Sequence, residues 1–192
     1  APLILLSEFL WVFYTVDFDA SPRLRILFYV ARRRVALGFV VAIVSFIFAT
    51  PTWNSLGLGV PIAVVGEAIR VWASGHLVKG KEVTTSGPYA LVRHPLYVGS
   101  SVMGLGFVIA ASSWLVAAVV CCYLIVMVPV AVLLEEATLR ASFGDVHARY
   151  VAGLSVPMVR RFSVPRVFEN REHHALAGFA ASFVLLYFLA GV

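Results

Sequence analysis

Arg93 and His94 run directly into Pro95-Leu96-Tyr97-Val98-Gly99, and a pair of carboxylates, Glu135-Glu136, closes the apolar run that follows. Not one charged side chain lies between Pro95 and Leu134. Cationic donors, a helix start and two acids, all at the edges of lipid-grade sequence, suit a ligand that carries both signs of charge. His94-Pro95 reads as a helix start, because proline costs nothing at the first helical position. The backbone N–H groups from Leu96 to Gly99 are then expected to face the interface, and such helix ends bind anions. Gly99 would let a ligand approach the backbone, with Arg93 and His94 adding side-chain donors. Glu135-Glu136 is read as the end of a helix, where carboxylates oppose the helix dipole. They are either solvated edge charges or a pair that receives an ammonium or ribose hydroxyls.

Glu67 and Arg70 lie three residues apart and share a helix face. Inside an apolar span such groups pair with each other or face a cavity. Either they form a mutual ion pair or Arg70 guides a substrate anion. His76 and Lys79 fall at the end of the same helix, close to the expected site, with interfacial anchoring as the alternative. His173-His174 is read as another membrane edge, and His147 has no assigned role. No spacing of His, Cys and carboxylates resembles a metal site. No glycine-rich phosphate loop or Ser-His-Asp order is present.

The elements that must hold these residues follow from composition. The 192 residues are 61% hydrophobic and 13% charged, against about 25% charged in soluble domains. An all-α, polytopic transmembrane bundle is the expected class, built as a single integral membrane domain over residues 1–192. The net charge of +5 does not imply nucleic acid, because the arginines flank apolar spans. Spans are expected from Val35 to about Trp53, from about Leu56 to Leu77, and from about His174 to Val192. The run Pro95–Leu134 would be about 60 Å long as one helix, so it must fold back. Ser112-Ser113-Trp114 is the expected turn, and Pro129 predicts a kink in the arm that follows. Leu3–Val16 is a clipped span or an in-plane helix. No secretory leader is expected from the first residues. The adjacent Cys121 and Cys122 point in different directions on a helix and read as apolar filler.

All but Arg70 of the fifteen Lys and Arg residues fall in the segments near 17–34, 78–94 and 135–173. The positive-inside rule puts those segments in the cytoplasm. Arg93, His94, Glu135 and Glu136 then share the cytoplasmic face.

The chain resembles the isoprenylcysteine carboxyl methyltransferase family and its relatives, the membrane phospholipid N-methyltransferases. The resemblance covers about residues 66–150. It rests on Gly66-Glu67-Ala68-Ile69-Arg70-Val71-Trp72, Thr85-Ser86-Gly87-Pro88-Tyr89, Arg93-His94-Pro95-Leu96-Tyr97-Val98-Gly99, Glu135-Glu136-Ala137-Thr138-Leu139, and Phe143-Gly144 with Tyr150. It implies a bundle of about five helices, S-adenosylmethionine as cofactor with S-adenosylhomocysteine as product, and methyl transfer to a lipophilic acceptor. Tyr89, His94, Pro95, Tyr97, Gly99, Glu135 and Glu136 would line the cofactor pocket. Arg93 would place the acceptor. The sequence departs from the family's usual acidic-x-Tyr pattern, with Asp145-Val146-His147 putting histidine at the first tyrosine position. The acceptor stays open between a lipid or prenyl carboxylate, a phospholipid amine and a hydrophobic thiol, and the oligomeric state stays open too. Membrane sterol and steroid reductases, which use NADPH, share a similar Arg-His-Pro-x-Tyr-x-Gly string, but theirs usually has asparagine where Leu96 stands. A non-enzymatic membrane module is the other alternative.

Overall fold

A computed structural model describes residues 22–191, with side chains from Arg25 onward. The expected Leu3–Val16 segment lies outside the described residues. Six α-helices follow in order: α1 Pro22–Phe48, α2 Trp53–His76, α3 Pro95–Ala111, α4 Trp114–Val151, α5 Val164–Glu169 and α6 Glu172–Ala190. A 3-10 turn, Gly87–Ala90, interrupts the α2–α3 connection. Among the described residues there is no strand, and the all-α bundle expected from composition is what forms.

Three of these helices, α2, α4 and α6, are long and apolar enough to cross a membrane by length and composition. The apolar helix α3 has only 17 residues. The helix that holds the first expected span starts well before Val35: α1 begins at Pro22, carries Arg25 and Arg32-Arg33-Arg34 inside it, and ends at Phe48. Its apolar stretch after the arginines is correspondingly short.

Helices α2 and α3 form the tightest pair, and small residues are the reason. A Cβ added at Gly99 would lie 2.7 Å from the Gly66 carbonyl oxygen, and one at Gly106 would lie 2.7 Å from that of Gly59. The backbones therefore touch at two places seven residues apart on each helix, which is two turns. Between apolar helices in lipid there is no hydrophobic drive to associate, so close backbone packing of this kind supplies the attraction. The far end of the pair is stitched by polar bonds. Thr52 and Ser55 form a reciprocal capping box at the start of α2, satisfying N–H groups that the helix leaves free. The Ser55 hydroxyl also donates to the Ala110 carbonyl at 2.9 Å, and the Thr50 N–H to that of Ala111 at 2.9 Å.

The expected turn at Ser112-Ser113-Trp114 is present. Ser112 adopts a left-handed conformation, φ 51°, and α4 begins at Trp114. Helix α1 packs on α4 through Phe28, Ala31 and Leu134. Leu186 of α6 meets Leu56 and Ala110.

One expectation for α4 needs correction. The residue whose backbone leaves the helical region is Gly144, φ 42° and ψ −114°, with Pro129 inside the helix before it. Glu135-Glu136 does not end the helix, which runs on about two more turns until Gly144 breaks it. The glutamates thus have no unfavourable position at a helix C-terminus; they sit on a regular turn with their side chains free to face α3.

The segment after α4 returns beneath α2. Asn170 donates to the carbonyls of Ser74, 2.9 Å, and Leu77, 3.0 Å, and Arg160 donates to that of His76, 3.3 Å. Carbonyls at a helix end have no partner within the helix, and these side chains supply one. Arg160 also forms a two-pronged pair with Glu82, one prong 2.9 Å long. The Arg160 hydrogen bond, ahead of its charge, holds the Glu82 carboxyl below the usual carboxylate range.

Candidate active site

Helix α3 begins where the sequence predicts. His94 is the N-cap and Pro95 the first helical residue. The anion site expected on the backbone is smaller than foreseen. The Tyr97 and Val98 N–H groups bond the His94 carbonyl, at 3.1 and 3.2 Å. Proline has no N–H, so the Leu96 N–H is the one donor of that first turn with no bond to the cap. Side chains, rather than backbone, carry the polar character here.

Glu136 is the hub. Its Oε1 lies 2.8 Å from His94 Nε2 and 3.6 Å from the Arg93 guanidinium, and its Oε2 lies 3.3 Å from His147 Nε2. A carboxylate only accepts, so when the His94 ring is neutral its hydrogen sits on Nε2. Nδ1 is then an acceptor. It is buried without a hydrogen-bond partner, 3.9 Å from Glu135 Oε2. Nδ1 and the Glu135 carboxylate thus lie near each other with no hydrogen bond between them. Glu135 is 38% exposed and Arg93 52%, so both can meet a ligand from outside.

Tyr97 packs its ring near His94, centroids 6.0 Å apart, and its hydroxyl meets Glu135. Tyr89 of the 3-10 turn is buried. Burial, then the charge of Glu135, pushes its hydroxyl well above the usual phenol range, so it stays a neutral phenol. The Tyr150 hydroxyl donates to the Tyr89 carbonyl at 2.7 Å, which ties the end of α4 to that turn.

His147 is the residue that sequence reasoning left without a role. Eleven residues separate it from Glu136, about 16 Å along a straight helix. Gly144 breaks the helix between them and turns the chain back. The one signal in the sequence was the departure itself, a histidine three residues beyond Phe143-Gly144.

Other expected site residues lie elsewhere. Gly99 faces α2, with the Arg70 side chain and the Gly66 carbonyl where a Cβ would be; it serves helix approach and not ligand approach. Pro95 is buried, while Val98 is exposed and Leu96 half-buried. His76 is buried, 3.3 Å from the Ser86 hydroxyl, and leans on Phe162. Its ring is also where a side chain at Gly87 would fall. It braces the loop before the 3-10 turn.

Arg70 is also committed. Its Nε and a terminal nitrogen both reach Glu172 Oε1 at 2.7 Å, and its other terminal nitrogen bonds the Ser100 hydroxyl. Glu67 is a weaker neighbour at 3.6 Å. The expected mutual pair is therefore a three-residue cluster dominated by Glu172, and each nitrogen of Arg70 has a partner within the bundle.

A family profile described as phospholipid methyltransferase matches residues 33–146, which covers α2, α3 and the glutamate pair. The chain belongs to this family. Within the phospholipid methyltransferase family's match lie every member of the Arg93–His94–Glu135–Glu136 cluster, while His147 sits one residue beyond it. Two curated relatives are similar. The cobalt-zinc-cadmium resistance protein CzcN of Cupriavidus metallidurans is 34% identical over 58% of this chain and 55% of its own length. The nickel-cobalt-cadmium resistance protein NccN of Alcaligenes xylosoxydans xylosoxydans is 32% identical over 49% of this chain and 46% of its own. The chain spans about half the length of the curated relatives it matches. No solved structure matches.

Proposed function

We propose that the protein is an S-adenosylmethionine-dependent methyltransferase that acts on a lipophilic acceptor at the cytoplasmic face of a membrane. The observation that carries this is His94 Nδ1, buried without a hydrogen-bond partner and 3.9 Å from the part-exposed Glu135 carboxylate, beside the exposed guanidinium of Arg93. The cofactor has an ammonium, ribose hydroxyls and a carboxylate, and the donor set fits it. His94 Nδ1 and Glu135 would take the ammonium or ribose hydroxyls. Arg93 and the Leu96 N–H would take the carboxylate. Tyr89 and Tyr97 would wall the pocket. When bound, S-adenosylmethionine supplies an electrophilic methyl group on a sulfonium.

The chain's own work is then alignment and exclusion of water. Glu136 fixes the His94 ring, and His147 fixes Glu136 from the other side. The Gly66–Gly99 contact fixes the position of α3 relative to α2. A carboxylate acceptor needs no base. An amine acceptor must lose a proton, and Glu135 is the exposed acid placed to receive it. The basic residues around α1, the α2–α3 loop and the segment after α4 support a cytoplasmic site by the positive-inside rule.

The test is to incubate purified protein with radiolabelled methyl donor and total membrane lipids, then identify the labelled product. Base-labile label in lipid marks an ester, stable label in phospholipid marks an amine, and volatile label marks a thiol. Transfer of no label to any fraction would sink the proposal. The names of the two relatives add a physiological setting, tolerance of cobalt and cadmium. A strain lacking this protein is then expected to grow less well on those metals, and unchanged tolerance would remove that setting without touching the chemistry.

A further inference from the structure

A groove of about 390 Å³ runs between α2 and α6. Val71 and Trp72 form one wall, Leu176 and Phe179 the other, and Phe162 closes one end. Glu67 is the one ionisable side chain in this lining. It is 4% exposed, and neither carboxylate oxygen has a hydrogen-bond partner among the described residues. A buried carboxyl left this way costs free energy, more than a neutral group would.

The neighbouring charges show what is missing. Glu67 and Glu172 share one cation, Arg70. The short bonds of Arg70 go to Glu172 and Ser100, and Glu67 is left at 3.6 Å. With both carboxyls ionised, the cluster lacks one positive charge and the hydrogen-bond donors to go with it. An ammonium brings both, a unit charge and up to three N–H donors. An anionic head has no such welcome, because the guanidinium is already engaged. A ligand that reaches this depth must also cover apolar walls, which calls for an aliphatic chain.

We infer that the α2–α6 groove binds a single-chain amphiphile with an ammonium head, its nitrogen meeting Glu67 and its chain lying along Trp72, Leu176 and Phe179. This site is separate from the His94–Glu135 cluster, and its test reads binding alone, without methyl transfer.

Trp72 lines the groove and reports on it. A nitroxide-labelled alkylammonium is titrated into the protein in a neutral maltoside detergent, beside the alcohol and the carboxylate of the same chain length. The signal is the emission lost from wild type but not from Trp72→Phe. The ammonium is expected to quench Trp72 at a concentration at least about tenfold below that of the alcohol, as suits a charge-assisted hydrogen bond. The carboxylate is expected to be the weakest. Glu67→Gln should bring the ammonium down to the alcohol's level. Ala68→Phe, which fills the groove and keeps Glu67, should protect Trp72 from all three. Equal quenching by ammonium and alcohol in wild type overturns the inference, and so does Glu67→Gln with undiminished preference. If Glu67→Gln does not fold, the comparison of head groups on wild type and the Ala68→Phe result still decide.

Discussion

His147 Nε2 lies 3.3 Å from Glu136 Oε2, although the two lie eleven positions apart in the stretch from Trp114 to Val151. The contact depends on Gly144, whose φ of 42° is open to glycine and costly for residues with a Cβ. No neighbour would meet a Cβ there, so the obstacle is backbone conformation alone. Gly144→Val is expected to straighten the helix, release His147 from Glu136 and weaken S-adenosylhomocysteine binding several-fold. Calorimetry on the purified variant measures it. His147→Gln, which keeps a donor in place, should retain more of the affinity than His147→Leu.

The α2–α3 contact predicts a different outcome, a folding defect. Gly66→Leu must push α3 away, because the Gly99 carbonyl already lies 2.7 Å from the position of a Cβ. Overpacking costs about 1–3 kcal/mol or more. The variant should lose several degrees of thermal midpoint in detergent. Gly57→Leu, on the same helix with nothing near it, should not.

Arg70 should be among the least replaceable residues. Arg70→Met strands Glu172, which is 5% exposed, beside Glu67. Removal of one partner of a buried ion pair costs about 3–5 kcal/mol. Arg70→Met is expected to express poorly, and Arg70→Met with Glu172→Leu to recover part of the loss. Thermal midpoints of the three proteins test this.

The Glu82–Arg160 pair predicts the acid side of the stability profile. The folded Glu82 carboxyl titrates below its usual range. Its contribution is therefore full above the unfolded pKa and is lost as pH falls through the depressed folded value. Wild type should lose thermal stability below the ordinary carboxylate range, and Glu82→Gln should be less stable at neutral pH with a flatter acid limb. Midpoints measured from pH 7 to pH 3 show whether the two curves converge.

The sequence disclosed the helix start at His94-Pro95 and the turn at Ser112, because proline and adjacent serines act locally and little tertiary context can override them. It disclosed the cluster of Arg93, His94 and Glu136, since the uncharged run between them had to fold back. It misplaced the end of α4, because Glu135-Glu136 looks like a helix terminus only to a reader who equates charge with the membrane edge; good helix formers continue past it. It could not show that Arg70 belongs to Glu172, 102 residues away, because nothing local encodes that pairing. Gly99 misled for a related reason. A glycine near a polar string suggests a ligand, whereas a second glycine at the right place on another helix, Gly66, turns it into a packing residue.

Titration of S-adenosylhomocysteine into detergent-solubilised protein is the most direct measurement. Wild type is expected to give a saturable heat. Glu135→Gln and His94→Phe are expected to bind at least about tenfold more weakly, with thermal midpoints close to wild type. No heat from folded wild type, or undiminished affinity in both variants, would contradict a ligand held between His94 and Glu135.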